Sequence, residues 1–154
     1  MVRIGTSNSV YLLTDISNSN NSTGWTLQTS SVTIGGGIVF QAKQANGITN
    51  DIEVGENQII SIPFNCSLTG YKIASANVGS ITIDVQKSTY ASYPTFTSIV
   101  GSSPITLSSS NKNQDSSLTG WSTSINQGDF IRFVVTANSG VYQFSLTLST
   151  SRTS

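Results

Sequence analysis

Ser80-Ile81-Thr82-Ile83-Asp84-Val85-Gln86-Lys87 alternates apolar and polar side chains residue by residue. The alternation sets Ile81, Ile83 and Val85 against Thr82, Asp84 and Gln86 on opposite faces of an extended chain, the pattern of a half-buried β-strand. Related runs recur along the sequence. Phe130-Ile131-Arg132-Phe133-Val134-Val135-Thr136 is more continuously apolar and predicts a strand covered on both faces, while Val141–Leu148 sets Tyr142, Phe144, Leu146 and Leu148 on one face. Gln58–Pro63 and Leu68–Ala74 predict two more strands around the kink Pro63-Phe64-Asn65-Cys66. Proline has no N–H for a ladder, so Pro63 belongs at a strand end or edge. Trp25–Leu27, Ser31–Ile34 and Ile38–Lys43 are earlier candidates.

Turn residues separate these runs at short intervals: Asn46-Gly47, Asn50-Asp51, Gly55, Asn77-Val78-Gly79, Gly128-Asp129 and Asn138-Ser139-Gly140. Short strands punctuated this often predict an all-β fold, an antiparallel sandwich or barrel, with no parallel sheet and covering helices. Gly35-Gly36-Gly37 reads as a turn or sharp kink; it lacks the spacing, the Lys and the following helix of a phosphate-binding loop. The one helical candidate, Ser88–Tyr93, is stopped by Pro94 after about one turn and predicts a loop excursion. The organisation expected is an N-terminal arm or first strand over 1–23, a sandwich domain over 24–150 and a short tail over 151–154. At 154 residues the chain is long enough for a single real core.

Composition removes whole chemistries. There is no His, so imidazole-activated nucleophiles, imidazole metal ligands and a near-neutral proton switch are all excluded. One Cys forbids an intrachain disulfide and a thiolate zinc cage. Seven basic and seven acidic residues balance, and without a basic footprint nucleic acid is not expected as a partner. The apolar run Val10-Tyr11-Leu12-Leu13 is too short for a signal peptide or a membrane span, so neither membrane association nor export is expected. Ser, Thr and Asn dominate what remains, and the three sequons at Asn20, Asn21 and Asn65 follow from that abundance.

Ser67-Leu68-Thr69-Gly70-Tyr71 and Ser117-Leu118-Thr119-Gly120-Trp121 nearly repeat each other, with Ser22-Thr23-Gly24-Trp25 a partial third copy. Their uneven spacing and unlike flanks exclude a solenoid. Convergence at sheet corners, each aromatic capping the core, is the expected reason.

Pro63–Tyr71, Gly79–Val85, Thr89–Thr95, Ser116–Trp121 and Gly128–Phe133, in that order, resemble a small β-sandwich module of tailed-bacteriophage virion proteins, found in tail fibres and in capsid-attached proteins. The resemblance covers a little over half the chain and departs where the module's first Gly-Trp corner reads Gly70-Tyr71. It implies a jelly roll, in many settings a homotrimer, with the major capsid protein or other virion subunits as partners. No shaft or attachment region accompanies the module, so the expectation is a capsid decoration or cement protein carried on the virion and assembled in the bacterial cytoplasm. The alternative is a tail-associated receptor-binding or carbohydrate-binding module, with a glycan as ligand. On the decoration reading Gly5–Thr23 is expected to lie as an arm across neighbouring shell subunits.

Candidate sites divide as follows. Asp51, Glu53 and Glu56 could offer oxygen ligands to calcium, but their alternation with Ile52 and Val54 equally describes the wet face of a short strand. Asp84 and Asp129 are the best carboxylate pair for glycosidase chemistry; ion pairing with Lys87 or Arg132 is the preferred reading. Cys66 is expected to be a buried small hydrophobe, and Trp25 and Trp121 core anchors in preference to sugar-stacking platforms. Tyr90, Tyr93 and Phe96 flank Pro94 in a loop where nothing forces burial, and they are the residues expected to contact a partner. No catalytic residue, cofactor or metal site is assigned, and the chain is not expected to be an enzyme.

Overall fold

The computed structural model describes residues 3–4, 10–13, 25–27, 36–43 and 51–153. The chain divides into two compact units, Met1–Thr33 and Ile34–Ser154. In the first, β1 (Arg3–Ile4), β2 (Val10–Leu13) and β3 (Trp25–Leu27) form an antiparallel sheet in that order. The expected strand Ser31–Ile34 and most of the expected arm lie outside the described residues.

The second unit holds β4 (Gly36–Lys43), β5 (Asn57–Ser61), β6 (Cys66–Ser88), β7 (Thr97–Ser98), β8 (Ile105–Asp115), β9 (Ser124–Ile125), β10 (Phe130–Ser139) and β11 (Gln143–Arg152). Every pairing among them is antiparallel. β6 is 23 residues long; drawn straight it would run about 75 Å, so in a small domain it has to bend. Its first part, Cys66–Ser75, pairs with β11, and its second, Ser80–Ser88, pairs with β10. β8 bends alongside it, with Ile105–Leu107 against Ile81–Ile83 and Lys112–Asp115 against Tyr71–Ala74. The ladder is irregular on both sides of Gly79. A β-carbon at Gly79 would sit 2.7 Å from Val141 Cγ2 and 3.0 Å from the Gly140 carbonyl carbon, so only a residue without one fits this corner.

By hydrogen bonding this is one sheet; by packing it is two layers. One layer runs β4, β11, first part of β6, second part of β8; the other runs β5, β10, second part of β6, first part of β8. Numbered along the chain, these eight segments lie in the orders 1-8-3-6 and 2-7-4-5, the order of a jelly roll. Phe40, Ile73, Phe144, Leu146 and Leu148 line the inside of the first layer, and Ile81, Ile83, Val85, Ile131, Phe133 and Val135 the inside of the second; all are buried. Phe40 stacks on Phe133 across the two layers with ring centroids 5.2 Å apart, and meets Phe144 edge-on at 5.1 Å.

Several local expectations need correction. β10 is not covered on both faces: Ile131, Phe133 and Val135 are buried, while Phe130, Arg132 and Val134 are half-exposed on the outside. Gly36 and Gly37 belong to β4, opposite Thr150 and Ser149, not to a turn. Asn77-Val78-Gly79 is the bend within β6, not a break between strands. β8 was not foreseen, because beyond Ile105 and Leu107 it is a run of Ser, Asn, Lys, Gln and Asp with no apolar alternation to reveal it. Its partner β6 specifies the pairing instead. Ser88–Tyr93 does make a single turn, closed by Tyr93 N–H donating to the Thr89 carbonyl at 3.1 Å.

Candidate functional site

After Ser88 the chain leaves β6 through a turn pinned by two hydroxyls. Thr89 Oγ1 and Ser92 Oγ lie 2.7 Å apart, and Ser92 N–H donates to Thr89 Oγ1 at 3.2 Å. The Tyr93–Pro94 peptide is cis, and the chain returns through Phe96 to β7, which pairs with Gln86 and Lys87. This excursion lays Tyr90, Tyr93 and Phe96 over the outer face of β10. Tyr90 stacks on Phe130 at 6.3 Å, Tyr93 tilts against Phe130 at 5.1 Å, and Tyr93 meets Phe96 edge-on at 5.8 Å. The sequence-predicted contact residues thus form one cluster, joined by Phe130. Tyr90 is 82% exposed and Tyr93 48%, whereas Phe96 and Phe130 are half-buried beneath them.

Arg132 completes the surface. Its guanidinium carbon lies 4.2 Å above the Phe96 ring, a cation–π contact. Arg132 Nε donates to Gln86 Oε1 at 2.9 Å, Gln86 Nε2 donates to Asp84 Oδ2 at 2.7 Å, and Ser98 Oγ donates to Asp84 Oδ1 at 2.7 Å. The chain of bonds fixes the planar guanidinium against the sheet. Ile59, opposite Arg132 on β5 and 42% exposed, extends the face on the other side. Sequence reasoning missed Phe130 and Arg132, although their i, i+2 spacing on a strand with a wet face was the signal. Reading β10 as doubly covered hid it.

The other candidates fall elsewhere. Asp129 is buried, accepts a hydrogen bond from Asn126 N–H at 2.9 Å and pairs with Lys87 Nζ at 3.7 Å. Asp84 faces outward opposite Val134 and reaches Arg132 only through Gln86. Five strand residues separate the level of Asp84 from Asp129, about 16 Å along the sheet, beyond the roughly 5–9.5 Å that paired glycosidase carboxylates need. Asp51 Oδ2 accepts from Gly140 N–H at 2.6 Å, so that carboxylate ties a turn. Among the described residues no group of three His, Cys, Asp or Glu side chains is placed to hold a metal. Cys66 is buried at the start of β6, and burial pushes its thiol pKa up.

The near-repeated pentapeptides meet each other. Tyr71 and Trp121 stack at 6.0 Å with nearly parallel rings, and Leu68 and Leu118 are both buried. Leu68 N–H donates to the Thr123 carbonyl at 2.9 Å. Trp121 is half-buried against the core, and its indole N–H donates to the Ser103 carbonyl at 2.9 Å. One face of that indole is therefore taken by Tyr71. The side chain of Trp25 lies outside the described residues.

No family model matches the chain, and neither does any curated protein or solved structure. Fold and site together define a jelly roll presenting an aromatic, arginine-bearing face on the outside of one layer.

Proposed function

We propose that the protein is a non-enzymatic structural subunit of a tailed-phage virion, a decoration or cement protein, homotrimeric, that attaches to the major capsid protein. The observation that carries the binding role is the exposed cluster of Tyr90, Tyr93, Phe96 and Phe130 beside a fixed Arg132. Tyr and Arg in this setting are the residue types that dominate protein–protein binding energy, because rigid rings bury much area at little entropic cost. The resemblance of Pro63–Leu148 to the phage module supplies the setting, and the jelly-roll order agrees with it.

The test has two arms. Light scattering after size exclusion should give three times the 16.3 kDa chain mass, and labelled antibody on purified virions should decorate the shell. Tyr90→Ala with Tyr93→Ala should weaken attachment about 30-fold or more, the scale of a hot-spot loss. Label confined to the tail tip overturns the decoration reading. A second reading, a tail-associated carbohydrate-binding module, is favoured by the open ring of Tyr90. It predicts glycan-array binding that Tyr90→Ala abolishes.

A further inference from the structure

We propose that the outer face of the opposite layer carries a second site, a groove for a carboxylate-bearing saccharide whose carboxylate is bridged by Lys72 and Lys112. The groove is open, about 600 Å³ in volume, and is lined by Lys72, Ala74, Lys112, Gln114 and Thr147 among others. Register explains the convergence. Lys72 lies opposite Gln114 on β8 and Thr147 on β11, and Ala74 lies opposite Lys112. Lys72 and Lys112 are therefore diagonal neighbours on one face of adjacent strands, about 7–8 Å apart. Like charges so placed repel each other weakly across water, and an anion between them would turn that repulsion into attraction.

Three other cations, Lys87, Arg132 and Arg152, are already engaged. Lys87 pairs with Asp129, Arg132 is held by Gln86 and Phe96, and Arg152 lies over the Phe64 ring at 5.1 Å. Lys72 and Lys112 have no carboxylate partner among the described residues. Asp115, which follows Gln114 on β8, commits its Oδ1 to the N–H and hydroxyl of Ser117, each at 2.8 Å. Lys72 and Lys112 thus stand on the same groove.

The lining selects a sugar over a bare anion. Ala74 and the aliphatic stems of both lysines make a weakly apolar floor, and Gln114 and Thr147 set polar groups on either side of it. Asn113 is held in place by donating to the Thr106 carbonyl at 2.8 Å. The volume is that of ordinary small-molecule sites, about 300–1,000 Å³, larger than an isolated carboxylate requires. Two cations fall short of the basic stripe that a phosphate backbone needs. The groove lies on the layer opposite the aromatic face, so this site stands independently of how that face is used.

Titration calorimetry on the full chain tests it, with tri-galacturonate as the probe and maltotriose, inorganic phosphate and tri-glutamate as comparisons. Tri-galacturonate should bind saturably and maltotriose should not. Lys72→Gln or Lys112→Gln alone should weaken binding about tenfold, and the two together should abolish it. Raising NaCl from about 50 to about 500 mM should weaken it as well. Absence of tri-galacturonate binding, binding unchanged in the double variant, or equal binding of phosphate or tri-glutamate would each overturn the proposal. Both lysines are exposed, so unchanged circular dichroism and melting will confirm that the variants fold. The titration involves no virion, and its failure leaves shell attachment untouched.

Discussion

At the scale of single residues, the two copies of Ser-Leu-Thr-Gly-aromatic need glycine for opposite reasons. Gly70 lies within β6, and a β-carbon there would sit 2.6 Å from the Asp115 carbonyl oxygen and 3.2 Å from Ser116 Cα. Backbone lies on the other side, so nothing can swing aside. Gly120 has open space around it but a φ of +83°, a conformation that costs an L-residue about 1–2 kcal/mol. Gly70→Ala should therefore destabilise by about 1–3 kcal/mol through overpacking, and Gly120→Ala by about 1 kcal/mol through backbone strain. Urea unfolding reads both, and an unchanged midpoint for Gly70→Ala would refute the close approach. The sequence displayed the repeat but not its meaning. Nearly identical letters occupy a strand at Leu68–Tyr71 and a turn at Leu118–Trp121, where Leu118 has φ +48°. The difference comes from which backbone passes alongside, and that is a tertiary fact.

Among the elements, legibility followed apolar alternation. Ser80–Lys87 and Gln143–Leu148 could be read because one face of each strand supplies core residues, although Val141 and Tyr142 fall before β11 begins. β8 could not, since its second half contributes hydrogen bonds to β6 and little apolar area. The bend in β6 was equally hidden: Asn77-Val78-Gly79 carries turn chemistry, yet pairing with β8 breaks there and resumes beyond it because β8 turns the same corner. Within the candidate site, Tyr90, Tyr93 and Phe96 were legible as loop aromatics flanking a proline, whereas Phe130 and Arg132 depended on knowing which face of β10 is wet. The stability of the whole arrangement should hinge on the ring that joins its layers. Phe133 is fully buried and stacks on Phe40 from the facing layer. Phe133→Ala should cost about 3–5 kcal/mol, a large part of the roughly 5–15 kcal/mol that holds a domain folded. Chemical denaturation followed by Trp fluorescence measures it; a loss under about 1 kcal/mol would mean that the layers are not joined there.

For the molecule as a whole, the scarcity of charge fixes how stability should respond to solvent. The chain carries seven charges of each sign and no His, and among the described residues one ion pair, Lys87–Asp129, is formed. Without His the sequence holds no side-chain type whose ordinary pKa falls between about 5.5 and 8, so stability should be level there. It should fall on both flanks for identified reasons. Hydrogen bonds from the backbone and hydroxyl of Ser117 hold the Asp115 carboxyl below its ordinary value of 3.8. A carboxyl depressed in the native state stabilises fully above 3.8, and that contribution is lost as pH falls through the lower native value. Asp115→Asn should flatten that acid limb. Burial raises Cys66 above 9.0, and burial with the nearby Asp115 charge raises Tyr71 above 10.0. Those contributions are complete below the ordinary values and disappear as pH rises through the raised ones. Salt should matter little. Screening about 1 kcal/mol of ion pairing would move the melting temperature of a domain this size by about 2–4 °C, and one pair offers no more. Scanning calorimetry at about 50 and about 500 mM NaCl should therefore give midpoints within about 4 °C. A shift beyond about 8 °C would show that charges hold the fold together. Because the fold is expected to be insensitive to salt, a salt-dependent fall in tri-galacturonate affinity over the same range would report on Lys72 and Lys112 and not on unfolding.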